Sequence, residues 1–332
     1  MTTLVTGGAG FVGMNLVEGL LARGDDVLLC DGGVLPPAAQ RALAPYGKAL
    51  TVLRGNILDV RFLQSVFEHR SITSVVHGAA ITSGPQREAG DPTSIVDVNL
   101  NGTIRVLEAA RGHGTQRVVY VGSGALYGES LFRIPNLDEE SPAFPQTMYA
   151  ITKHAAERMC GRLRELWQMD IACVRLGTVI GPWERDTGMR DNYGTHTQLA
   201  GLAVRSEIAV MPAQELRRDW VYAKDVVAGL MALLDANQPH HLTYNLSSGV
   251  AWETPVAAWC AALKAAFPRF DYHAAAAGEQ PNVWYTDKDR HIMNTGRIES
   301  DLGFRPRYLR DAAYADFIEW IERNKDFYSP KS

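Results

Sequence analysis

The sequence predicts a doubly wound α/β protein: a parallel sheet covered by helices, followed by a smaller, partly interleaved C-terminal substrate domain. Three observations carry that expectation. Short apolar, β-branched runs alternate with longer helical patterns through the first half of the 332 residues. Those runs are continuously hydrophobic instead of alternating, as strands buried on both faces should be. A glycine-rich turn joins the first such run to the first helical stretch, and repeated βα units of this kind build a doubly wound sheet.

In chain order the strand candidates are Thr3–Thr6, Asp26–Asp31, Leu50–Arg54, Ser74–His77, Arg117–Val121 and Ile171–Leu176. Helices are expected at Phe11–Arg23, Val60–His69, Pro92–His113 and Thr147–Gln168. After Gly181-Pro182 the rhythm breaks. Residues 183–198 are polar and read as a loop, followed by helices near 197–205, 224–236 and 255–266. The expected division is a dinucleotide-type domain over 1–180 with a return around 218–247, and a substrate domain from 181–217 and 248–330.

Composition narrows the class. The chain is 46% apolar and 21% charged, as in ordinary globular proteins. With 33 Lys and Arg against 37 Asp and Glu, the net charge of −4 offers no basic field for nucleic acid or anionic lipid. No apolar run reaches the roughly 18 residues of a membrane span. The opening MTTLVTGGAGFVG lacks the charged and apolar regions of a secretory signal, so the expected location is the cytoplasm. Cys30, Cys160, Cys173 and Cys260 show no CxxC spacing and read as buried thiols. No metal-ligand pattern is present, and no metal is expected.

The turn Thr6-Gly-Gly-Ala-Gly-Phe-Val-Gly13 satisfies both G-x-G-x-x-G and G-x-x-G-x-x-G. Such glycines tighten the turn and bring backbone N–H groups to a pyrophosphate at a helix N-terminus. Asp31 closes the second strand, 18 residues beyond Gly13. A carboxylate there accepts hydrogen bonds from both hydroxyls of an adenosine ribose. The adjoining Gly32-Gly33-Val34 offers no cation for a 2′-phosphate, so NAD is expected over NADP.

Tyr149 and Lys153 lie four apart on a predicted helix, hence on one face. A neighbouring ammonium favours the phenolate, and lowering a tyrosine pKa by about three units takes roughly 4 kcal/mol. Ser123 follows the fifth strand and faces the crevice where open α/β sheets bind ligands. Its hydroxyl suits the substrate oxygen that Tyr149 would deprotonate.

These motifs resemble the extended short-chain dehydrogenase/reductase family. TGGAGFVG, His77-Gly-Ala-Ala80, Asn99-Leu-Asn-Gly-Thr103, Ser123 to Gly128, Tyr149-Ala-Ile-Thr-Lys153 and Arg175 to Pro182 stand in that family's order. Arg218 to Tyr222 and Asn294 to Pro306 look like its later landmarks. The resemblance implies a Rossmann domain, bound NAD and a catalytic set of Ser123, Tyr149 and Lys153. It implies cofactor contacts from Gly7, Gly10, Phe11, Val12, Gly13, Asp31, Asn56, Ile57, Ala79, Ala80, Asn99, Tyr149 and Lys153, with Asn99 bracing a loop. Substrate contacts would come from Ser83, Ser123, Tyr149, Thr178 and Arg218, and a homodimer would form through helices 92–113 and 147–168.

The resemblance also implies limits. The nucleotide-sugar 4,6-dehydratases carry an acidic pair directly after the catalytic hydroxyl, where this chain has Gly124 and Ala125. Dehydration and decarboxylation are therefore disfavoured. The arginine that family members place before the segment 294–306 falls near Tyr285 and Lys288, with Arg290 as a substitute. The expected function is an NAD-dependent epimerase acting on the hydroxyl carbon of a sugar-like molecule, free or nucleotide-linked. A dehydrogenase of a small sugar or sugar acid, and a catalytically inactive NAD-binding protein, are the alternatives.

Overall fold

The computed structural model describes residues 1–285 and 288–328. Its first half alternates β1 (Thr2–Thr6), α1 (Phe11–Arg23), β2 (Asp26–Asp31), α2 (Pro37–Leu43), β3 (Leu50–Arg54), α3 (Val60–His69) and β4 (Ser74–His77). Then come α4 (Pro85–Gly90), α5 (Pro92–Val96), α6 (Gly102–Gly112), β5 (Arg117–Ser123), β6 (Asn136–Leu137), α7 (Met148–Trp167), β7 (Asp170–Leu176) and β8 (Thr178–Ile180). Seven strands form one sheet in the order β3-β2-β1-β4-β5-β7 with a last strand, β11 (Thr243–Leu246), at the far edge. Every neighbouring pair in it is parallel.

Neighbouring residues on one strand feed two separate cores, which is why the strands read as unbroken hydrophobic runs. Val5, Leu29, Val76 and Val119 join the core that includes α1 residues Leu16 and Leu20. Leu4, Leu28, Val75 and Val118 join the opposite core with Leu63, Val66 and Leu107 from α3 and α6. Strand order reverses between β1 and β4, and that switch point opens a crevice at their carboxyl ends. α1 ends at Gly24, whose φ of 95° lets its N–H reach back to the last carbonyls.

The expected helix over Pro92–His113 follows that path but is interrupted. Asp97–Asn101 is a π-helical turn between α5 and α6. The extra residue turns Asn99 inward, and π-bulges of this kind gather at functional sites. The loop expected over 183–198 stops earlier, because α8 (Thr195–Arg205) begins at Thr195.

The remainder comprises β9 (Ile208–Met211), β10 (Trp220–Tyr222), α9 (Ala223–Asp235), α10 (Pro255–Ala266), β12 (Asp271–Ala274), β13 (Ile292–Met293), α11 (Gly296–Leu302) and α12 (Arg310–Arg323). β10 pairs with β8, β12 with β9 and β13 with β6. Trp220, Trp259, Tyr314 and Phe317 centre a third core there, while α9 packs back on α1. Among the described residues, no helix is long and apolar enough to cross a membrane. All four cysteines are buried free thiols.

Candidate active site

The glycine turn after β1 tolerates no side chains. Gly7 has φ 72°, and a Cβ there would stand 2.7 Å from Ala79 N. A Cβ on Gly13 would stand 2.1 Å from Gly7 O, so α1 and β1 approach as a dinucleotide turn requires. Gly10 caps α1 without a side-chain bond, and the first turn holds no acid, leaving its N–H groups and positive dipole end facing the crevice. Phe11 is buried and Val12 half-buried at that end. Asp31 stands at the tip of β2, where Oδ2 accepts Ala9 N–H at 2.9 Å and Oδ1 accepts Gly33 N–H at 2.7 Å. These residues fit a dinucleotide: a cradle free of Cβ at Gly7 and Gly13, an open helix N-terminus, and a carboxylate held at the tip of the neighbouring strand.

The residues adjoining Asp31 in sequence carry no cation, but one reaches it from far along the chain. Arg185 reaches back from beyond β8, and its Nη2 donates to Ala9 O at 3.3 Å and Val34 O at 3.0 Å. Asp31 lies within its electrostatic range. Asn56 uses its amide oxygen to accept Leu58 N–H and close its own turn, while Ile57 is buried against Gly102. Ala79 and Ala80 line the strand end after β4, with Ala79 N–H pointing at Thr6 Oγ1, 3.4 Å away. Asn99 is fully engaged in bracing: it exchanges bonds with Ile81 N and O at 2.8 and 3.1 Å and donates to Thr152 Oγ1 at 3.0 Å.

Tyr149 and Lys153 share the α7 face that packs on β5 and on the turn after it. Thr147 starts that helix by accepting Ala150 N–H. Lys153 is 3% exposed; its Nζ donates to Val121 O at 2.8 Å and lies 5.9 Å from the Tyr149 ring centre. Burial pulls this ammonium down to about 8. Ser123, two residues beyond Val121, accepts Ala125 N–H on Oγ at 3.2 Å, which leaves its own hydrogen free to donate. Sequence reasoning missed the surroundings of Lys153. Tyr120 lies beneath it at 4.9 Å. His77 bridges Thr6 Oγ1 (2.7 Å) and Thr103 Oγ1 (3.0 Å), and burial, with the Lys153 charge, pulls it to about 3. It is a neutral brace, not an acid–base group.

A buried ion pair holds the catalytic elements together. Arg175 on β7 grips Glu157 on α7 at 2.9 and 2.6 Å, and also donates to Tyr127 Oη and Glu139 O. A Cβ on Gly124 would lie 2.6 Å from Met293 Sδ. A side chain after Ser123 would have to displace the flexible tip of Met293.

On the substrate side, Thr178 begins β8, half-buried, and Ser83 bonds Glu88 at 3.0 Å. Arg218 is 8% exposed, and burial, followed by the neighbouring Arg290 guanidinium, disfavours its charge. Arg290 Nε is buried and, among the described residues, unpartnered. Asp219 does not serve Arg218; its carboxylate accepts from Ser248 N, Ser248 Oγ, Gly249 N and Met293 N. Tyr285 is not a substrate group either, since its hydroxyl donates to the carbonyls of Pro212 and Gln214. Lys288 lies over the Phe132 ring. Of the three positions, Arg290 is the one whose charge acts on Arg218.

Residues 3–247 match the profile of the NAD dependent epimerase/dehydratase family. UDP-glucuronate 4-epimerase 4 of Arabidopsis thaliana is 30% identical over 240 residues, 71% of this chain and 54% of that protein. The chain thus spans about half the length of such curated relatives. A dTDP-glucose 4,6-dehydratase of Streptomyces niveus is 26% identical over 99% of this chain and 95% of its own length. Relatedness alone therefore does not set dehydratases aside. Among solved structures, the UDP-glucose 4-epimerase of Thermus thermophilus, in complex with NAD, is 26% identical with a TM-score of 0.76, covering 98% of this chain and 100% of that one. The glycine cradle, the parallel sheet and these matches agree: the chain belongs to the NAD dependent epimerase/dehydratase family of extended short-chain dehydrogenases/reductases.

Proposed function

We propose that this chain is an NAD-dependent epimerase of a nucleotide-activated sugar. The observation that carries the reading is the neighbouring pair of guanidinium groups of Arg218, 8% exposed, and Arg290, half-buried, where burial and then the Arg290 charge disfavour the Arg218 charge while Asp289 favours it. Neighbouring guanidinium groups repel, and a diphosphate bound to both would offset that repulsion and add to their existing contacts. The names of the relatives, UDP- and dTDP-sugar enzymes, support the same class.

In this reading Tyr149 takes the proton of the sugar hydroxyl and later returns it. Lys153 holds positive charge near the phenolate, and Ser123, its oxygen engaged by Ala125 N–H, aims its hydrogen at the same substrate oxygen. Hydride-transfer chemistry at that carbon is what bound NAD supplies. The glycine turn, α1 and Asp31 would hold it. Elimination of water needs an acid–base pair next to the catalytic hydroxyl. Gly124 and Ala125 provide none, and Met293 fills the space where a side chain on residue 124 would go. The missing acid–base pair supports the reading of epimerisation over dehydration.

The test is to incubate the enzyme with UDP-glucose, UDP-glucuronate and dTDP-glucose and follow the products by NMR. The expected result is an epimer without net NADH. A 4-keto-6-deoxy product would instead identify a dehydratase. If millimolar UDP and dTDP neither inhibit nor raise the melting temperature, the nucleotide handle is wrong, and a dehydrogenase of a small sugar acid takes its place.

A further inference from the structure

The segment between β8 and α8 is anchored on both banks of the crevice. It leaves β8 through Gly181 and through Trp183, a buried residue with φ 70°. Trp183 Nε1 donates to Glu18 at 2.6 Å, and Asn15 Nδ2 donates to Pro182 O at 2.9 Å, so the departure point is fixed to α1. Glu184 is buried and ties the ends of the segment together, accepting from Arg190 at 2.8 Å, Thr197 Oγ1 at 2.5 Å and Gly194 N at 3.1 Å.

One bank is the glycine turn and the end of β2. Arg185 bonds Ala9 O and Val34 O there, and Arg190 covers the Phe11 ring at 5.7 Å. The other bank is the chain after β4. Thr82 exchanges backbone bonds with Met189 O (2.8 Å) and Asp191 N (3.1 Å). Asp191 accepts Gly84 N–H and a fork from Arg87 Nε and Nη2, the shortest at 2.6 Å, while Arg87 Nη2 also donates to Gly188 O. In the sheet β1 lies between β2 and β4. The segment therefore crosses above the carboxyl end of β1, the path from Asp31 to Tyr149.

We propose that residues 184–194 form a strap over the bound dinucleotide, and that Arg185 is a cofactor-binding residue meeting the adenosine-diphosphate end beside Asp31. The proposal rests on the reading that NAD occupies the crevice. A guanidinium has five N–H donors in a fixed fork, so the bonds to Ala9 O, Val34 O and Asp186 O leave two for an anionic ligand at the same place. Asp31 favours its charge and burial opposes it, so a pyrophosphate arriving there strengthens the contact. Arg87 and Asp191 latch the strap on the opposite bank without facing the adenosine end. Cofactor exit then requires the strap to lift, and dissociation is slow because the latch must open first.

The experiment is stopped-flow displacement of NADH from the full-length enzyme by excess NAD, read by nicotinamide fluorescence, with titrations of ADP-ribose. Arg185→Ala and Asp191→Asn should each speed NADH release at least tenfold. Arg185→Ala should also weaken ADP-ribose binding at least tenfold, and Arg185→Lys should restore part of it. Asp191→Asn keeps the side chain's shape, so it reports on the latch even if Arg185→Ala folds poorly. Wild-type protein that binds neither NADH nor ADP-ribose would refute the dinucleotide reading itself. Wild-type binding with unchanged release from both variants overturns the strap alone. An Arg185→Ala effect confined to the sugar-nucleotide KM overturns it too, because Arg185 would then serve the substrate.

Discussion

Tyr149 and Lys153 occupy one face of α7, and the lysine is buried, donating to the backbone carbonyl two residues before Ser123. Tyr149→Phe should therefore lower kcat by more than about 10²-fold, the low end for an acid–base group, while NADH affinity and melting temperature stay near wild type. Retention of a tenth of the rate would remove Tyr149 from the mechanism. The pH profile follows from Lys153. An ammonium titrating at about 8 is charged at neutral pH and loses its charge as pH rises through that value. Support for the phenolate fades in the same window, so kcat/KM should fall on the alkaline side with an apparent pKa near 8. A profile still rising at pH 9.5 would contradict this. Ser123, Tyr149, Lys153 and Asp31 could be singled out in the sequence because local spacing and motif mark them. Arg185 and Met293 could not, and Arg290 was named only as a substitute. Each gains its meaning from a neighbour far along the chain, and no period or motif records such proximity.

At the scale of elements, the long ones were legible and the short ones were not. β2 and β4, α1 and α3 lie where apolar runs and helical periodicity put them, since strands buried on two faces leave an unmistakable hydrophobic run; the edge strand β3 also lies where expected, although it is only half-buried. β6, β8, β10 and β13 have two or three residues and exist only because a distant partner pairs with them. The π turn escaped for a related reason. It is imposed by the need to turn Asn99 toward Ile81 and Thr152, not by any pattern within the helix. The contact between α1 and β1 yields a sharper test. Gly13→Ala places a methyl 2.1 Å from Gly7 O, against backbone that cannot give way as a side chain can. Overpacking of this kind costs about 1–3 kcal/mol. The variant should melt several degrees lower and lose most of its NADH affinity, measured by calorimetry and fluorescence titration. A stable variant with wild-type affinity would mean the turn can open without harm.

For the whole molecule, two fully buried histidines set the response to acid. His77 and His196 are both pulled to about 3 by burial, one under the sheet and one among the aromatic rings of the third core. Above the ordinary histidine pKa neither state binds the proton, and they contribute no pH dependence. Below about 6.5 the unfolded chain takes up protons that the native protein refuses, so stability falls steadily toward pH 3. Each refusal amounts to roughly 4 kcal/mol at the bottom of that range. Urea midpoints should decline between pH 6.5 and 4, and His196→Phe should flatten the decline; an unchanged slope would shift the cause to the carboxylates. The edge strand β11 has a different consequence, one of timing. It pairs with β7, yet the chain traverses β8, α8, β9, β10 and α9 before reaching it. A ribosome therefore releases β7 with one side bare and keeps it so until Leu246 has emerged. Through that interval the nascent protein carries an open row of backbone donors and acceptors, which invites pairing with other chains. The cofactor-binding half cannot mature first and wait for the rest; the two halves must be finished together, and the growing chain is most vulnerable to aggregation while residues 177–246 are being made.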